Sequence, residues 1–311
     1  MSKKSIILVG AIVIGLALAA PYWLSEHGLR DLTTDVRKGL PGKSVKIGDS
    51  ITYYEWTGPE EGPVVVLVHG GTRSSYVWDH NVDALAKAGF RVLRYDHLGR
   101  GYSDRPAEVY GVDLFDRQLV GLLDTLGVKG PVDLVGLSQG GAISVVFTAR
   151  HPKRVRKLAL LAPAGFPLKL PPAAKLAVVP GLGDWVMAVF GRNILMGGAA
   201  KGIKDPKHAK EITSKLKEQL EYRGYMSALL SMLRNYPLHG LEEVYVQAGK
   251  HKIPTLVIWG EQDKTAPVAN ANKVQAAIPH ATLAIVPGVG HAALYEDAEK
   301  VNPILIDFLK E

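Results

Sequence analysis

An apolar segment that turns at once into a glycine-flanked serine constrains this chain more than any other feature. Residues 132–135 have the composition of a strand, GLSQG follows at 136–140, and a helix-like stretch covers 142–150. A strand that turns this sharply into a helix strains the backbone at Ser138, and the flanking glycines allow the two elements to approach closely. The hydroxyl is then exposed at the end of a sheet, where it can act as a nucleophile. The alternative is a glycine-rich helix start that the serine caps.

On either side of this turn, strand-like and helix-like segments alternate. Strands are predicted at Ser44–Ile47, Ile51–Trp56, Val64–Val68, Arg91–Tyr95, Val132–Val135, Leu158–Leu161, Ile253–Trp259 and Thr282–Val286. Helices are predicted at Tyr76–Ala88, Leu114–Leu126, Val268–Ile278 and Ala298–Leu309. The sequence therefore predicts an α/β fold, a mostly parallel sheet with helices on both faces, whose first two strands form a hairpin about Gly48 and Asp49.

The alternation stops between residues 166 and 250, which are rich in Pro and Gly at first and then Lys-rich and helical over 209–234. We expect a helical lid here, inserted into a core formed by residues 41–165 and 251–311. Five residues are candidates to line a substrate pocket: Thr72 of the core, and Trp185, Phe190, Tyr225 and Leu229 of the insertion. For the four insertion residues, the alternative is that they only pack the lid together.

Most of the chain's positive charge lies in this insertion. From Phe166 to Lys252 there are 10 Lys and 3 Arg against 7 Asp or Glu, a net +6 of the total +7. A basic surface suits an anionic membrane or nucleic acid, or is simply a solvated lysine face. No nucleic-acid-binding motif accompanies it, so we expect no nucleic-acid partner.

The N-terminus carries an uncharged apolar segment, Ser5–Leu24. About 20 such residues cross the hydrocarbon core as a helix. Lys3 and Lys4 precede it, and Tyr22 and Trp23 stand where an aromatic belt would lie. We predict a single-pass anchor over residues 1–24, with a cytoplasmic N-terminus and the catalytic domain on the far side, in the periplasm of a bacterium. The rival is a signal peptide cleaved after residues 17–19, which read Ala-Leu-Ala.

The segment after the anchor, residues 25–40, places Leu29, Leu32, Val36 and Leu40 at helical spacing between charged residues. This pattern predicts an amphipathic juxtamembrane helix. Such a helix lies on the membrane interface, packs on the enzyme, or pairs with a second copy in a homodimer.

A serine hydroxyl needs a base to take its proton and an acid to orient that base. Asp263 lies in the loop after the strand that begins at Ile253, and His291 follows Gly-Val-Gly after the last predicted strand. The order Ser138, Asp263, His291 is the order of the triad on a strand–turn–helix scaffold of this kind. Glu261 is a nearby rival for the acid.

The reaction also needs donors for the oxyanion of its tetrahedral intermediate. The backbone N–H of Gln139 is one candidate. The second donor is expected from the loop after Val64–Val68, which reads HGGT at 69–72. The candidate there is the N–H of Gly71, with that of Thr72 as the alternative. His69 is expected to buttress this loop. The chain has no cysteine, which excludes thiolate metal sites, and the chemistry requires no metal or organic cofactor.

Taken together, these motifs resemble the α/β-hydrolase superfamily. The matching segments are HGGT at 69–72, DHLGRGYSDRP at 96–106, GLSQGG at 136–141, WGEQDKTAP at 259–267 and GVGHAALYE at 288–296. The resemblance implies the fold, the triad roles and a lid inserted after the sixth strand. Haloalkane dehalogenases and epoxide hydrolases of that superfamily carry a nucleophilic aspartate where this chain has Ser138, so they are disfavoured. Carbon–carbon bond hydrolases and haloperoxidases share the serine triad.

The layout of anchor, juxtamembrane segment and lid is similar to membrane-anchored monoacylglycerol lipases and, more closely, to membrane-bound bacterial phospholipases A of the PlaF type. That resemblance implies a membrane-anchored carboxylic ester hydrolase whose substrates are lipid acyl esters such as phospholipid, lysophospholipid or monoacylglycerol. The alternatives are a carbon–carbon bond or aromatic ester hydrolase of the same fold, or a non-catalytic hydrolase-fold binding module.

Overall fold

A single eight-stranded sheet organises the chain. The computed structural model describes residues 2–168, 177–201, 203 and 205–311, without the side chains of Ala11 and Tyr22, so part of the predicted lid and the predicted belt role of Tyr22 lie outside the described residues. The strands are β1 (Lys43–Ile47), β2 (Ser50–Thr57), β3 (Val64–Val68), β4 (Arg91–Tyr95), β5 (Val132–Leu137), β6 (Val155–Leu161), β7 (Thr255–Gly260) and β8 (Thr282–Val286).

The strand order across the sheet is β1-β2-β4-β3-β5-β6-β7-β8. β1 and β2 form the predicted hairpin, in which Ile47 pairs with Ser50, and β2 runs antiparallel to β4. All other neighbours are parallel. The prediction of a mostly parallel sheet is therefore confirmed.

Helices cover both faces of this sheet. They are α1 (Lys3–Ser25), α2 (Thr34–Lys38), α3 (Val82–Lys87), α4 (Val112–Thr125), α5 (Gln139–Arg150), α6 (Leu182–Gly198), α7 (Pro206–Leu220), α8 (Tyr225–Asn235), α9 (Glu242–Lys250), α10 (Asn270–Ala277), α11 (Ala293–Glu296) and α12 (Ala298–Lys310). Side chains alternate between the faces along β3, so Val66 belongs to one apolar cluster and Val65 to the other. This alternation divides the core into two layers.

Two predicted helices are each divided in the structure. The stretch predicted as one helix from Tyr76 to Ala88 contains a 3-10 turn (Ser75–Trp78) and the separate helix α3. The Lys-rich stretch 209–234 divides into α7 and α8, because Gly224 adopts a left-handed conformation with φ +84° between them. Apolar periodicity continues across both breaks and therefore did not reveal them.

The predicted amphipathic helix over residues 25–40 is wrong in extent, since only Thr34–Lys38 is helical. Polar contacts join residues 25–40 to the rest of the chain. Arg30 forms a short bridge with Tyr222 of the insertion and an ion pair of 2.8 Å with Glu221. The Arg37 side chain is 5% exposed, with Nη2 2.5 Å from the Asp104 carboxylate. The segment is therefore joined to the enzyme by charged contacts, while Leu29, Leu32, Val36 and Leu40 are each half-buried.

The N-terminal helix α1 is 23 residues long, with a mean hydropathy of 2.2 over its most apolar 18 residues, none of them buried. It is the one helix in the described part of the chain that is long and apolar enough to cross a membrane. A buried core helix is excluded by this exposure. A signal sequence passes the same test of length and composition, so the anchor stays a prediction.

The junction of β5 and α5 brings backbones into direct contact. A Cβ on Gly140 would lie 2.1 Å from the carbonyl oxygen of Val68, and one on Gly136 would lie 2.4 Å from the carbonyl oxygen of Gly140. Only glycine permits this approach, so the GLSQG pattern is a packing requirement as well as a chemical one.

We predict that Gly140→Ala destabilises the fold although it raises helix propensity. Alanine favours a helix by up to about 1 kcal/mol over glycine. Overpacking against the Val68 carbonyl costs about 1–3 kcal/mol and opposes that gain. Chemical denaturation measures the net effect, and Gly130→Ala, at an exposed glycine with nothing within 4 Å, is the control. Equal stabilities for the two variants would contradict the packing argument.

Candidate active site

The carboxyl ends of the parallel strands bring the predicted site residues to one edge of the sheet. Ser138 follows β5, Asp263 follows β7, His291 follows β8, and the loop 69–72 follows β3, the direct neighbour of β5. Ligands of open α/β sheets bind at this edge.

Ser138 occupies a strained turn. Its φ of 53° and ψ of −117° are rare for a residue with a side chain. The turn is held by its own backbone, since the Ser138 N–H donates to the carbonyl of Leu161 at 2.9 Å and its carbonyl accepts from the N–H of Ala164 at 2.8 Å. The residue remains partly exposed although its neighbours in the chain are buried. A solvent-accessible hydroxyl on a rigid backbone results.

Asp263 and His291 form a hydrogen-bonded pair, with 2.7 Å between Oδ2 and Nδ1. The carboxylate is fully buried and its Oδ1 accepts the N–H groups of Thr265 and Ala266, each at 2.8 Å. The His291 side chain is 24% exposed. A carboxylate accepts the Nδ1 proton, so Nε2 is the basic nitrogen of this imidazole.

Two glutamates hold the backbone around this pair. Glu261, the rival acid, accepts the N–H of Gly288 at 3.1 Å instead of contacting the imidazole. Glu296 accepts the N–H groups on either side of His291, from Gly290 at 2.8 Å and from Ala292 at 3.2 Å. Sequence reasoning did not single out Glu296, because its partners are main-chain groups that leave no residue pattern.

The loop 69–72 lies directly against the nucleophile turn. A Cβ on Gly70 would be 3.5 Å from the Cβ of Ser138, and one on Gly71 would be 2.8 Å from the side-chain oxygen of Gln139. Gln139 is the first residue of α5, where backbone N–H groups have no partner within the helix and the helix dipole is positive. The predicted oxyanion donors are therefore neighbours.

Side chains bind three successive carbonyl groups of this loop. His69 Nδ1 is 2.7 Å from the oxygen of Gly70, Arg100 Nε donates to that of Gly71 at 2.5 Å, and the Tyr225 hydroxyl donates to that of Thr72 at 2.6 Å. In a trans peptide the N–H points opposite to the C=O of the same unit. The first two contacts thus fix the N–H groups of Gly71 and Thr72, both candidate donors.

Of the five residues predicted to line the substrate pocket, Thr72 lies exposed in the loop 69–72, two lie in the insertion's interior and two do not. Tyr225 and Leu229 are both about 1% exposed on α8, and Tyr225 holds the loop as described. Trp185 borders a cavity beside α1 instead, and Phe190 is 47% exposed. Helical periodicity marks apolar residues without telling which face meets the site, so the pocket role of Trp185 and Phe190 stays a prediction.

Two buried histidines support the loop from below. His69 and His97 are stacked with ring centroids 3.8 Å apart, His69 Nε2 accepts the N–H of His97 at 2.9 Å, and His97 Nε2 lies 2.8 Å from the His69 carbonyl oxygen. Burial, aided by the nearby Arg100 cation, lowers the pKa of both, and that of His97 to about 3. Both imidazoles are therefore neutral in the folded protein at neutral pH.

No cluster of three or more His, Asp or Glu side chains suited to a metal ion occurs among residues 2–168, 177–201, 203 and 205–311.

The family model of the alpha/beta hydrolase fold matches residues 63–298. The chain belongs to the α/β-hydrolase superfamily. A 2-hydroxy-6-oxononadienedioate/2-hydroxy-6-oxononatrienedioate hydrolase of Burkholderia vietnamiensis is 31% identical over 263 residues, covering 79% of this chain and 86% of that protein.

Solved α/β-hydrolase structures agree with this assignment. The enol-lactonase from Burkholderia xenovorans LB400 has a TM-score of 0.68 at 26% identity, covering 86% of this chain and all of that one. A thermophilic esterase from Thermogutta terrifontis has a TM-score of 0.70 at 22% identity over 87% of this chain and 98% of that one, a likeness of fold alone. These relatives support a hydrolase. They do not bear out the finer resemblance to membrane-bound phospholipases, which stays a proposal.

Tyr225→Phe is expected to lower kcat about tenfold with little change in KM. The lost hydrogen bond loosens the loop that supplies an oxyanion donor, and about 1 kcal/mol or slightly more is at stake. Steady-state kinetics on a chromogenic ester measure kcat and KM. Tyr236→Phe is the matched control, because the buried hydroxyl of Tyr236 has no hydrogen-bond partner in the described structure. A similar kcat loss in both variants would point to a general packing effect.

The buried histidine pair predicts loss of stability in acid. The pKa of an imidazole in the unfolded chain is about 6.5. The folded pKa values are lower, so the stability that the pair contributes is present above about pH 6.5 and is lost as pH falls towards the folded values. Each imidazole adds a slope of about 1.4 kcal/mol per pH unit in that window.

Denaturation curves between pH 7.5 and 4.5 test this. His97→Gln removes one titrating group, so its free energy of unfolding should fall less steeply with acid than that of the wild type, while His239→Gln, at an exposed histidine, keeps the wild-type slope. Parallel slopes for the wild type and His97→Gln would refute the assignment.

Proposed function

We propose that this α/β hydrolase is a serine carboxylic ester hydrolase that works through an acyl-enzyme. The observation that carries the proposal is the 2.7 Å contact between the buried Asp263 carboxylate and His291 Nδ1, at the same sheet edge as the strained Ser138. An acid that fixes the tautomer of a base, at the same sheet edge as a partly exposed serine, is the arrangement that activates a hydroxyl.

In the proposed reaction the Ser138 oxygen attacks the acyl carbonyl while His291 Nε2 takes its proton. Asp263 stabilises the imidazolium that forms. The N–H of Gln139 and that of Gly71, or of Thr72, hold the oxyanion. His291 then returns the proton to the leaving alcohol, which leaves Ser138 acylated. Water, deprotonated by His291, attacks the acyl carbon and releases the carboxylic acid and the free serine.

The proposed substrates are acyl esters of lipids, presented to an enzyme anchored by α1. The length and exposed apolar surface of α1 support an anchor, and a tethered site meets lipid esters at high local concentration. The basic insertion favours an anionic lipid surface.

A second candidate is hydrolysis of a carbon–carbon bond in a small dicarboxylate, and the relatives favour it. The Burkholderia vietnamiensis protein is named for a dienedioate. Three guanidinium groups have no carboxylate partner in the described structure: Arg73, which directly follows the loop 69–72, Arg100, which binds the Gly71 carbonyl, and Arg105, which lies near Arg100. Burial and the Arg100 cation lower the pKa of Arg105 to about 10. Unpaired cations suit an anionic substrate.

We expect Ser138→Ala to abolish both ester hydrolysis and labelling by a fluorophosphonate, while the protein remains folded by circular dichroism. Ser214→Ala, at an exposed serine of α7, should keep both. His291→Ala and Asp263→Asn should each lower kcat by at least about a thousandfold. Full activity of Ser138→Ala would contradict the proposed mechanism.

A substrate comparison separates the two candidates. The full-length enzyme is assayed on monoacylglycerol and lysophospholipid in vesicles, and on a 2-hydroxy-6-oxo-dienedioate whose conjugated chromophore is lost on cleavage. The lipid proposal predicts a higher kcat/KM for the vesicle-borne esters. Faster cleavage of the dienedioate would establish the second candidate instead.

A further inference from the structure

We infer that α6 is a second membrane-contact element, which enters the hydrocarbon region of the same leaflet as the C-terminal end of α1. This inference rests on the proposed anchor and adds to it an interaction surface on the insertion. The partner is the acyl-chain layer of a lipid bilayer.

The position of α6 beside α1 is the first argument. A cavity of about 410 Å³ lies between them, lined by Gly15, Leu18 and Ala19 of α1 and by Gly181, Asp184 and Trp185 at the start of α6. Trp23 marks the level of the proposed interface, and Ala19 and Gly15 precede it by four and eight residues. At 1.5 Å per residue, the start of α6 is about 6–12 Å below that level along the helix. Interfacial helices lie at about this depth.

The surface that α6 exposes is the second argument. Leu182, Phe190 and Ile194 are 51%, 47% and 37% exposed, and their spacing of eight and four residues places them on one face of the helix. Val178 and Val179, just before the helix, are 40% and 44% exposed. An apolar strip of this kind beside a membrane-spanning helix is unfavourable in water and favourable among acyl chains.

The charges of α6 are compatible with this depth. The helix carries one acid and one base, Asp184 and Arg192. Asp184 is bound by Arg234 through two contacts of 3.0 and 2.8 Å, and the pKa of its carboxyl is lowered chiefly by that hydrogen bond. Paired charges are tolerated near a bilayer, and a long arginine reaches the interface by itself.

The far end of α6 reaches the candidate active site. Arg73, two residues after Gly71, donates to the carbonyl of Ala199 at the end of the helix at 2.9 Å. Near the middle of α6, a Cβ on Gly191 would lie 2.3 Å from the terminal methyl of Met226, so α6 packs closely on α8. The helix thus extends from α1 to a contact with Arg73, which directly follows the loop 69–72 of the candidate site.

The absence of cysteine from the chain permits a direct test, since any introduced cysteine is the sole labelling site. Single variants Leu182→Cys, Phe190→Cys, Ile14→Cys and Val246→Cys of the full-length protein are labelled with an environment-sensitive fluorophore. Val246, on α9, is the control, since it is 43% exposed on a helix that packs against α5 of the core. Each protein is reconstituted into phosphatidylcholine–phosphatidylglycerol vesicles with nitroxides on the acyl chains, and fluorophosphonate labelling selects folded enzyme.

We expect labels at 182 and 190 to be quenched at least twofold by acyl-chain nitroxides, as the label at 14 is, and the label at 246 to be unaffected. Quenching at 14 without quenching at 182 or 190 overturns the inference and leaves the anchor standing. No quenching at 14, 182 or 190 overturns both. Efficient cross-linking of Leu182→Cys between two copies, with no lipid quenching, assigns the strip to a homodimer instead and also overturns the inference.

Discussion

The contact between the backbone of α5 and the end of β3 is the constraint on which the rest of the site depends. Gly140 meets the Val68 carbonyl with no room for a methyl group, so the helix after the nucleophile must begin beside the loop after β3. That proximity brings the first N–H of α5 near those of Gly71 and Thr72. The strain at Ser138 follows, because a strand and a helix packed this closely leave the residue between them no relaxed conformation.

A second layer of support reaches this loop from distant parts of the chain. His69 comes from the loop itself, Arg100 from the loop after β4, and Tyr225 from the insertion 153 residues beyond Thr72. Each binds a carbonyl, and the first two hold the peptide units that contain the candidate donors, the N–H groups of Gly71 and Thr72. The insertion therefore helps to hold the backbone of the loop 69–72 in place.

The sequence was sufficient to predict the strands and the reactive residues that follow strand ends, because both depend on local patterns. Continuous apolar runs located the strands to within a few residues, and the order of Ser138, Asp263 and His291 followed from loops after such runs. Long-range partners could not be predicted. Tyr225 was expected to meet substrate because its aromatic ring looks apolar in sequence, whereas its hydroxyl bonds the Thr72 carbonyl. The helix over residues 25–40 failed for a related reason, since the contacts of Arg30 and Arg37 outweigh a weak apolar periodicity.

Those contacts make the segment after α1 a part of the enzyme and not a tether. Arg30 and Asp31 bind Glu221 and Arg223 at the joint between α7 and α8, and Arg37 neutralises Asp104 in a half-buried setting. A soluble form cut before Glu26 keeps all of these partners. A cut after Arg37 removes the cation that pairs with Asp104. It also removes Arg30 and Asp31, whose ion pairs hold the joint at Gly224. The choice of cut site therefore decides whether a soluble fragment reports the properties of the native enzyme.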